Sequence, residues 1–387
     1  MSTCRIPTPR HGTKEADLPL PPRTSKIPAE LPPAPAHKVT HLHRADLINA
    51  GIMTKPSDTP STSAGPWKSA LRSLLRNRSA LGALAILALI VIACLCAPFY
   101  ARHIAHTDPF LSNVAGTITL NGQETDIMQP NDNPLHLGLS PIGPTWHTTY
   151  FLGADSQGRD IMARLLYGGR NSLLISFSAA VLCLVMAGVV GISAGFFGGI
   201  TDMILCRIMD IMWAVPVYLF AISLSIVTIT SGLRIGPFVI EADNLLIPIV
   251  IIALVYVPYA ARPVRGRVIA LRQAEFVTAA KCLGVPRWRI VLHDILPNVS
   301  TTLVVMGPLL MAMALLAESA LSFLSIGVQA PAASWGTIIL DGEGLIYTRP
   351  MVAIAPGMAI VAVVLALNIL GDGLRDALDV RDTSRRE

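Results

Sequence analysis

The sequence predicts an all-α polytopic membrane protein with six transmembrane helices and a pair of short cytoplasmic helices between spans four and five. Three observations carry that prediction. Of 387 residues, 52% are hydrophobic and only 14% are charged, and mean hydropathy is +0.56; a water-soluble domain does not carry so little charge. Six runs free or nearly free of charge are each long enough to cross a bilayer: Ser79 to Tyr100, Ser172 to Gly195, Ile204 to Thr230, Leu245 to Ala261, Val299 to Leu324 and Met351 to Leu370. Arginine and lysine gather before the first run and between the fourth and fifth, as the positive-inside rule requires of cytoplasmic segments.

Residues 1–66 are rich in Pro, Ser, Thr and His, with breaks at Pro21-Pro22, Pro32-Pro33 and Pro35, and read as a disordered cytoplasmic tail. No apolar run follows the early basic residues, so the tail is not a secretory signal. Met53 is an alternative initiator. His37, His41 and His43 are closely spaced but have no fixed scaffold, and no metal or cofactor is expected in the chain. The cysteines, Cys4, Cys94, Cys96, Cys183, Cys206 and Cys282, lie mostly in or beside apolar runs, which argues against a disulfide framework. The net charge of +5 is explained by basic cytoplasmic loops, so nucleic acid is not an expected partner.

The segment 67–101 combines an interfacial helix with the first span. Trp67, Leu71, Leu74 and Leu75 share one helical face, and Lys68, Arg72 and Arg76 another, an arrangement suited to an anionic leaflet of membrane lipid. With that basic side inside, 102–170 is extracytoplasmic. It is rich in turn residues, with Asn121-Gly122 and the run Pro130 to Pro134, and has extended pieces such as Thr117 to Leu120. It ends in Gly153 to Leu173, where Asp155 is placed to cap a helix. The remaining five spans form the core, 171–374, followed by a cytoplasmic tail, 375–387. Both termini then face the cytoplasm.

By the same count the stretch Glu275 to Asn298 is cytoplasmic. Its apolar residues recur at helical spacing, with Gly284 ending a first helix and Pro286 opening a second at N1. Phe276, Ala279, Ala280 and Leu283 present small and apolar surface to a partner's groove; Glu275, Arg287 and Arg289 supply charge at its rim. Pro297 falls where span five begins, so displacement of the loop passes into that span. No lysine of the chain stands in a Walker A pattern, so ATP binding of that kind would have to come from another chain.

The residues Ala279-Ala280, Gly284 and Leu296-Pro297 resemble the EAA signature of permease subunits in bacterial ATP-binding-cassette importers. GADSQGRD (Gly153 to Asp160), AESALSFLSIGVQ (Ala317 to Gln329) and Ser334-Trp335-Gly336 are similar to the peptide/nickel permease group, which includes the dipeptide and oligopeptide permeases. At the acidic first position of the signature this chain has Thr278, with Glu275 nearby. The resemblance covers Trp67 to about Asp379. It implies an inner-membrane permease working by alternating access, and it makes Glu275 to Asn298 the coupling helices. It also implies a second permease chain, two cytoplasmic ATP-binding subunits, and an extracytoplasmic solute-binding protein. Such a chain is a transport subunit rather than an enzyme.

Glu318 is the one acidic residue within span five and is a candidate for the gate or pathway. It lies about 30 Å along a helix from Asn298, near the outer boundary. A carrier driven by an ion gradient is the alternative function; it requires midplane charges and an internal repeat, neither of which is evident apart from Glu318.

Overall fold

The computed structural model describes residues 66–120, 122–131, 138–231, 233–235, 238–240 and 244–378. Apart from Pro66, the expected tail 1–66 with its three histidines lies outside them, as do Asn121, the end of the turn at 132–134, and 379–387.

The first helix, α1 (Pro66–Arg76), covers the stretch expected to be interfacial, with Leu71 and Leu75 exposed. Asn77 separates it from α2 (Arg78–Leu95) and caps it, its side chain accepting the Ser79 and Ala80 N–H groups at 3.1 and 3.4 Å. Beyond α2 come a short turn, Ala97–Phe99, and a π-helical turn, Tyr100–Ala105, which ends at His106 in the left-handed region.

The segment that follows forms two small antiparallel pairs. β1 (Thr117–Leu120) pairs with β2 (Gln123–Asp126), and β3 (Met128–Pro130) with β4 (Leu139–Pro141). Ile127, Ile142, Tyr150 and Ala154 make a core of their own there.

The second span is α3 (Ile161–Phe197), which begins at Ile161 rather than at Ser172. Its early start depends on Gly168 and Gly169: a Cβ at Gly169 would lie 2.8 Å from the Trp335 ring, so only glycines let this turn pack against the segment after span five. Asp160, not Asp155, is the cap, accepting from Met162 and Ala163 N–H. Gly158, at φ +71°, prolongs the turn and delays the helix, leaving Asp155 to organise the turn itself through Gln157 and Arg159 N–H.

The expected third span is broken. α4 (Gly199–Ala214) and α5 (Val217–Ser231) meet at 90°. Pro216 disfavours helical backbone at the residue before it, and Val215 is extended at φ −93°, ψ 133°. Two arginines hold α4 across the end of α6 (Leu246–Arg272). Arg265 clamps Asp202 at 2.6 and 2.7 Å; Arg262 bonds Asp210 at 2.9 Å and stacks 4.2 Å from the centre of Trp213. These partners let α6 run on to Arg272, well beyond the expected end at Ala261. A hairpin, β5 (Leu233–Ile235) with β6 (Phe238–Ile240), joins α5 to α6.

α6 is the central helix, buried along most of its length, and α3 lies closest to it. A Cβ at Gly191 would sit 2.8 Å from the Ala261 carbonyl, and one at Gly195 would sit 2.9 Å from the Arg265 carbonyl. Glycines four apart thus bring the two backbones together, the usual means of helix association where lipid removes the hydrophobic drive.

After α6 come α7 (Glu275–Cys282), α8 (Arg287–Ile290), a π-helical turn (Val291–Ile295), and α9 (Leu296–Phe323). A short α10 (Trp335–Glu343) leads to the last span, α11 (Met351–Leu378). Among the described residues five helices are long and apolar enough to cross a membrane, or six spans if the bent α4–α5 pair counts as one.

Candidate functional site

The site is the polar bridge between α6 and α9, built from residues that the backbone divides cleanly into two faces. α7 carries Glu275 in its first turn and Lys281 in its last, each favourable to the helix dipole. It ends on Gly284 at φ +75°, where Gly284 N–H reaches the Lys281 carbonyl and Val285 N–H the Ala280 carbonyl, both at 3.1 Å. That pair of bonds is a Schellman motif, and its left-handed residue favours glycine. Pro286 is the N-cap of α8 rather than its N1 residue, with extended backbone at φ −64°, ψ 142°. Pro297 does not open a new helix after a break, because the π-helical turn Val291–Ile295 carries the chain from Arg287 to Phe323 without interruption.

One face is anchored. Val277, Ile290, Ile295 and Val299 are fully buried against Ile192, Phe196, Val264, Val268 and Leu271 at the ends of α3 and α6. Ala280 packs partly against the same cluster. The other face is open: Glu275, Phe276, Ala279, Leu283, Gly284, Pro286, Arg287 and Arg289 are exposed, Leu283 at 83%. Trp288 belongs with them although its pattern did not single it out. It is 59% exposed, and the Arg289 guanidinium lies 5.5 Å from its ring centre. Of the buried anchors, Ile290 and Ile295 belong to the apolar residues that recur at helical spacing, while Val277 and Val299 were not singled out; the signal available was the spacing of Val277 from Ala280 and of Val299 from Ile295.

Glu318 is not part of this bridge. It is completely enclosed near the other end of α9, accepting the Ser322 hydroxyl at 2.8 Å and the Ser319 hydroxyl at 3.3 Å, with Ser172 and Ser334 beside it. Ser172 also accepts the Trp335 N–H at 3.1 Å, and Trp335 Nε1 donates to the Leu165 carbonyl at 3.0 Å. The carboxyl therefore joins α9 to α3 and α10 from within.

The same end holds a cluster of buried charge. Arg159 bonds Asp155 at 2.7 Å and Asp341 at 2.9 Å; Arg164 bonds Asp341 at 2.7 Å and lies 3.4 Å from Asp155. Asp341, on α10, is remote in sequence, so no spacing pointed to the pairing. Asp160 next to it is enclosed as well, and also accepts from Thr107 and from Tyr150 N–H. Burial pushes its carboxyl above the usual aspartate range, against those hydrogen bonds, which pull it down. The folded chain thus holds this proton more tightly than the unfolded one. The group's contribution to stability is fully present below the unfolded value and is lost as pH rises through the raised folded value. Asp160→Asn is expected to flatten that falling limb in a series of unfolding midpoints against pH, and an unchanged slope would contradict the assignment.

Apolar helices that bury a charged cluster at one end, and that brace an exposed helical bridge at the other, make an integral membrane transport subunit able to take its drive from another protein. Residues 187–381 match the binding-protein-dependent transport system inner membrane component, and residues 65–115 match the N-terminal TM domain of oligopeptide transport permease C. The chain is 34% identical to the dipeptide transport system permease protein DppC of Alkalihalophilus pseudofirmus, over 87% of this chain and 97% of that protein. It is 33% identical to the oligopeptide transport system permease protein OppC of Haemophilus influenzae, over 82% and 89%. Among solved structures it is similar to a chain of the MetNI methionine ABC transporter, at TM-score 0.46 and 18% identity over 56% of this chain and 97% of that one. The chain belongs to the family of binding-protein-dependent permeases, the inner-membrane subunits of ATP-binding-cassette importers. It is a transport subunit and not an enzyme; ATP is hydrolysed on a separate subunit, and nothing favours a carrier driven by an ion gradient.

Proposed function

We infer that this permease moves peptides or a closely related solute, and that Glu275 to Arg289 is the element through which the ATPase drives it. The observation that carries the coupling reading is the two-faced bridge: an exposed apolar and basic surface fixed to the spans by Val277, Ile290, Ile295 and Val299. A surface so anchored passes a push from its partner to α9 and α6 rather than absorbing it. The dipeptide and oligopeptide permeases among the relatives support the choice of cargo.

The partners implied are a second permease chain, two cytoplasmic ATP-binding subunits and a solute-binding protein outside. On ATP binding the subunits close, the bridge moves, and the spans exchange inward for outward access. Six crossings with both termini cytoplasmic are supported by where the ends meet. Gly373 of α11 packs against Ala80, with Leu74 and Asn77 close by, so the first span starts where the last one ends. Arg375 shares a cavity with Thr301, just beyond the bridge, which supports reading the bridge at that same end. Glu318 reads as an internal brace of the outer end, not as a contact with solute.

Leu283→Glu tests the docking surface. Association with the ATPase subunit is expected to fall about tenfold or more, since a charge placed at the centre of an apolar contact costs several kcal/mol when desolvated. Co-purification from membranes measures it. Undiminished recovery of the ATPase would sink the assignment.

A further inference from the structure

A cavity of about 400 Å³ opens between the bridge and the ends of α3 and α6, lined by Phe196, Phe197, Arg272, Lys281, Val285, Arg287 and Ile290. Three of those side chains are cations. Among the described residues none of them has a carboxylate within 4 Å, although other arginines of this end are paired with Asp202 and Asp210. Local geometry sets Arg272 and Lys281 at the mouth of the cavity, while Arg287 lines it from the exposed face of the bridge. Gly198 sits at φ +66°, and a Cβ there would lie 2.8 Å from Arg272 Nη1, so the glycine leaves the space that this guanidinium occupies below the end of α3. Lys281 Nζ is 3.4 Å from the Arg272 carbonyl, which holds the two side chains at one mouth.

Three like charges around one cavity repel one another unless an anion sits between them. The opposite wall is apolar: Phe196 and Phe197 meet edge to face with centres 5.6 Å apart, and Phe197 is 52% exposed at the end of its span. Basic on one side, apolar on the other and level with the end of two spans, the cavity has the polarity of a bilayer interface.

The geometry points to a binding site for the phosphate of an anionic membrane lipid, with Arg272, Lys281 and Arg287 around the headgroup and the phenylalanines against the start of its acyl chains. Guanidinium groups grip phosphate in a fork and ammonium acts as a point charge beside it. Basic pockets between spans on the cytoplasmic side take such headgroups. The lipid would brace α7 against the span ends, next to the buried anchors. This goes beyond the coupling role, and it does not depend on the ATPase.

The test is native mass spectrometry of the purified full chain titrated with phosphatidylglycerol or phosphatidylcholine. Phosphatidylglycerol is expected to be retained in preference, and Arg272→Gln with Lys281→Gln to weaken its retention about 25-fold, at roughly fivefold per cation. The charge-preserving pair, Arg272→Lys with Lys281→Arg, is expected to stay within about twofold of wild type. If the glutamine pair does not fold, lipid competition on wild type and the charge-preserving pair still decides. Equal retention of both lipids, or unchanged retention in the glutamine pair, overturns the site. Displacement of the lipid by millimolar inorganic phosphate assigns the cavity to a free anion and overturns the lipid. Loss of ATPase recovery with lipid retention unchanged assigns it to an acidic side chain of that partner and does the same. A failure of Leu283→Glu to release the ATPase bears on the docking surface alone, because no ATPase is present in the lipid measurement.

Discussion

Gly284→Val is expected to lower uptake by at least about tenfold while the protein still reaches the membrane in normal amount and ATP hydrolysis continues. Space is not the obstacle, since a Cβ at Gly284 would meet nothing within 4 Å. Conformation is. At φ +75° a residue with a Cβ costs roughly 1–2 kcal/mol, and valine's branching makes it worse. The turn escapes that cost by giving up its two closing bonds, from Gly284 and Val285 N–H, and α7 then loses its set position against α8. The spans are untouched by this, so insertion continues while the docking surface changes shape. Uptake into vesicles, read alongside ATPase turnover of the assembled importer, checks the prediction. Transport at the wild-type rate would contradict the coupling role of the turn.

Arg164→Ala is expected to destabilise the chain by about 3–5 kcal/mol, the cost of removing one member of a buried ion network and leaving the rest uncompensated. Asp155 and Asp341 would share Arg159 alone, with the Asp155 side chain only 1% exposed. The segment before α3, the start of α3 and α10 meet at this cluster, so the loss should appear as early unfolding of that end of the chain. Thermal unfolding of the purified full chain measures it. Arg164→Lys, which keeps the charge but not the fork, is expected to fall between the two. A change below about 1 kcal/mol would mean that the cluster adds little to the joint.

The apolar helices were legible because the lack of charge over a span's length is a local property of the chain. Their ends were not. α3 starts early because Gly168 and Gly169 fit against Ser334 and Trp335, and α6 runs late because Arg262 and Arg265 find Asp210 and Asp202. Each of these depends on residues far away in sequence. Pro216 accounts for the extended Val215, but a 90° corner also needs α4 to be held across α6, and those same arginine pairs hold it. In the bridge, helical periodicity found most of the exposed residues from Phe276 to Arg289, but it missed Trp288 and included Ala280, which packs partly inward. It did not tell which apolar residues would turn inward, because Val277 and Phe276 are neighbours of like character and only the packed span ends choose between them. The enclosure of Glu318 required Ser172 and Ser334, which lie on other elements.

The π-helical turn at Val291–Ile295 makes one rod of α8 and α9. From Arg287 to Glu318 that rod measures about 46 Å at 1.5 Å per residue. The buried cluster of Ile290, Ile295 and Val299 lies close to its Arg287 tip, so a tilt about that cluster has two very unequal arms. A tilt of about 5° there would displace the Arg287 tip by about 1 Å and the Glu318 end by about 3 Å. On the proposed coupling role the permease would be geared: a small stroke at the ATPase would become a larger one where Glu318 and its serines hold the far end of α9.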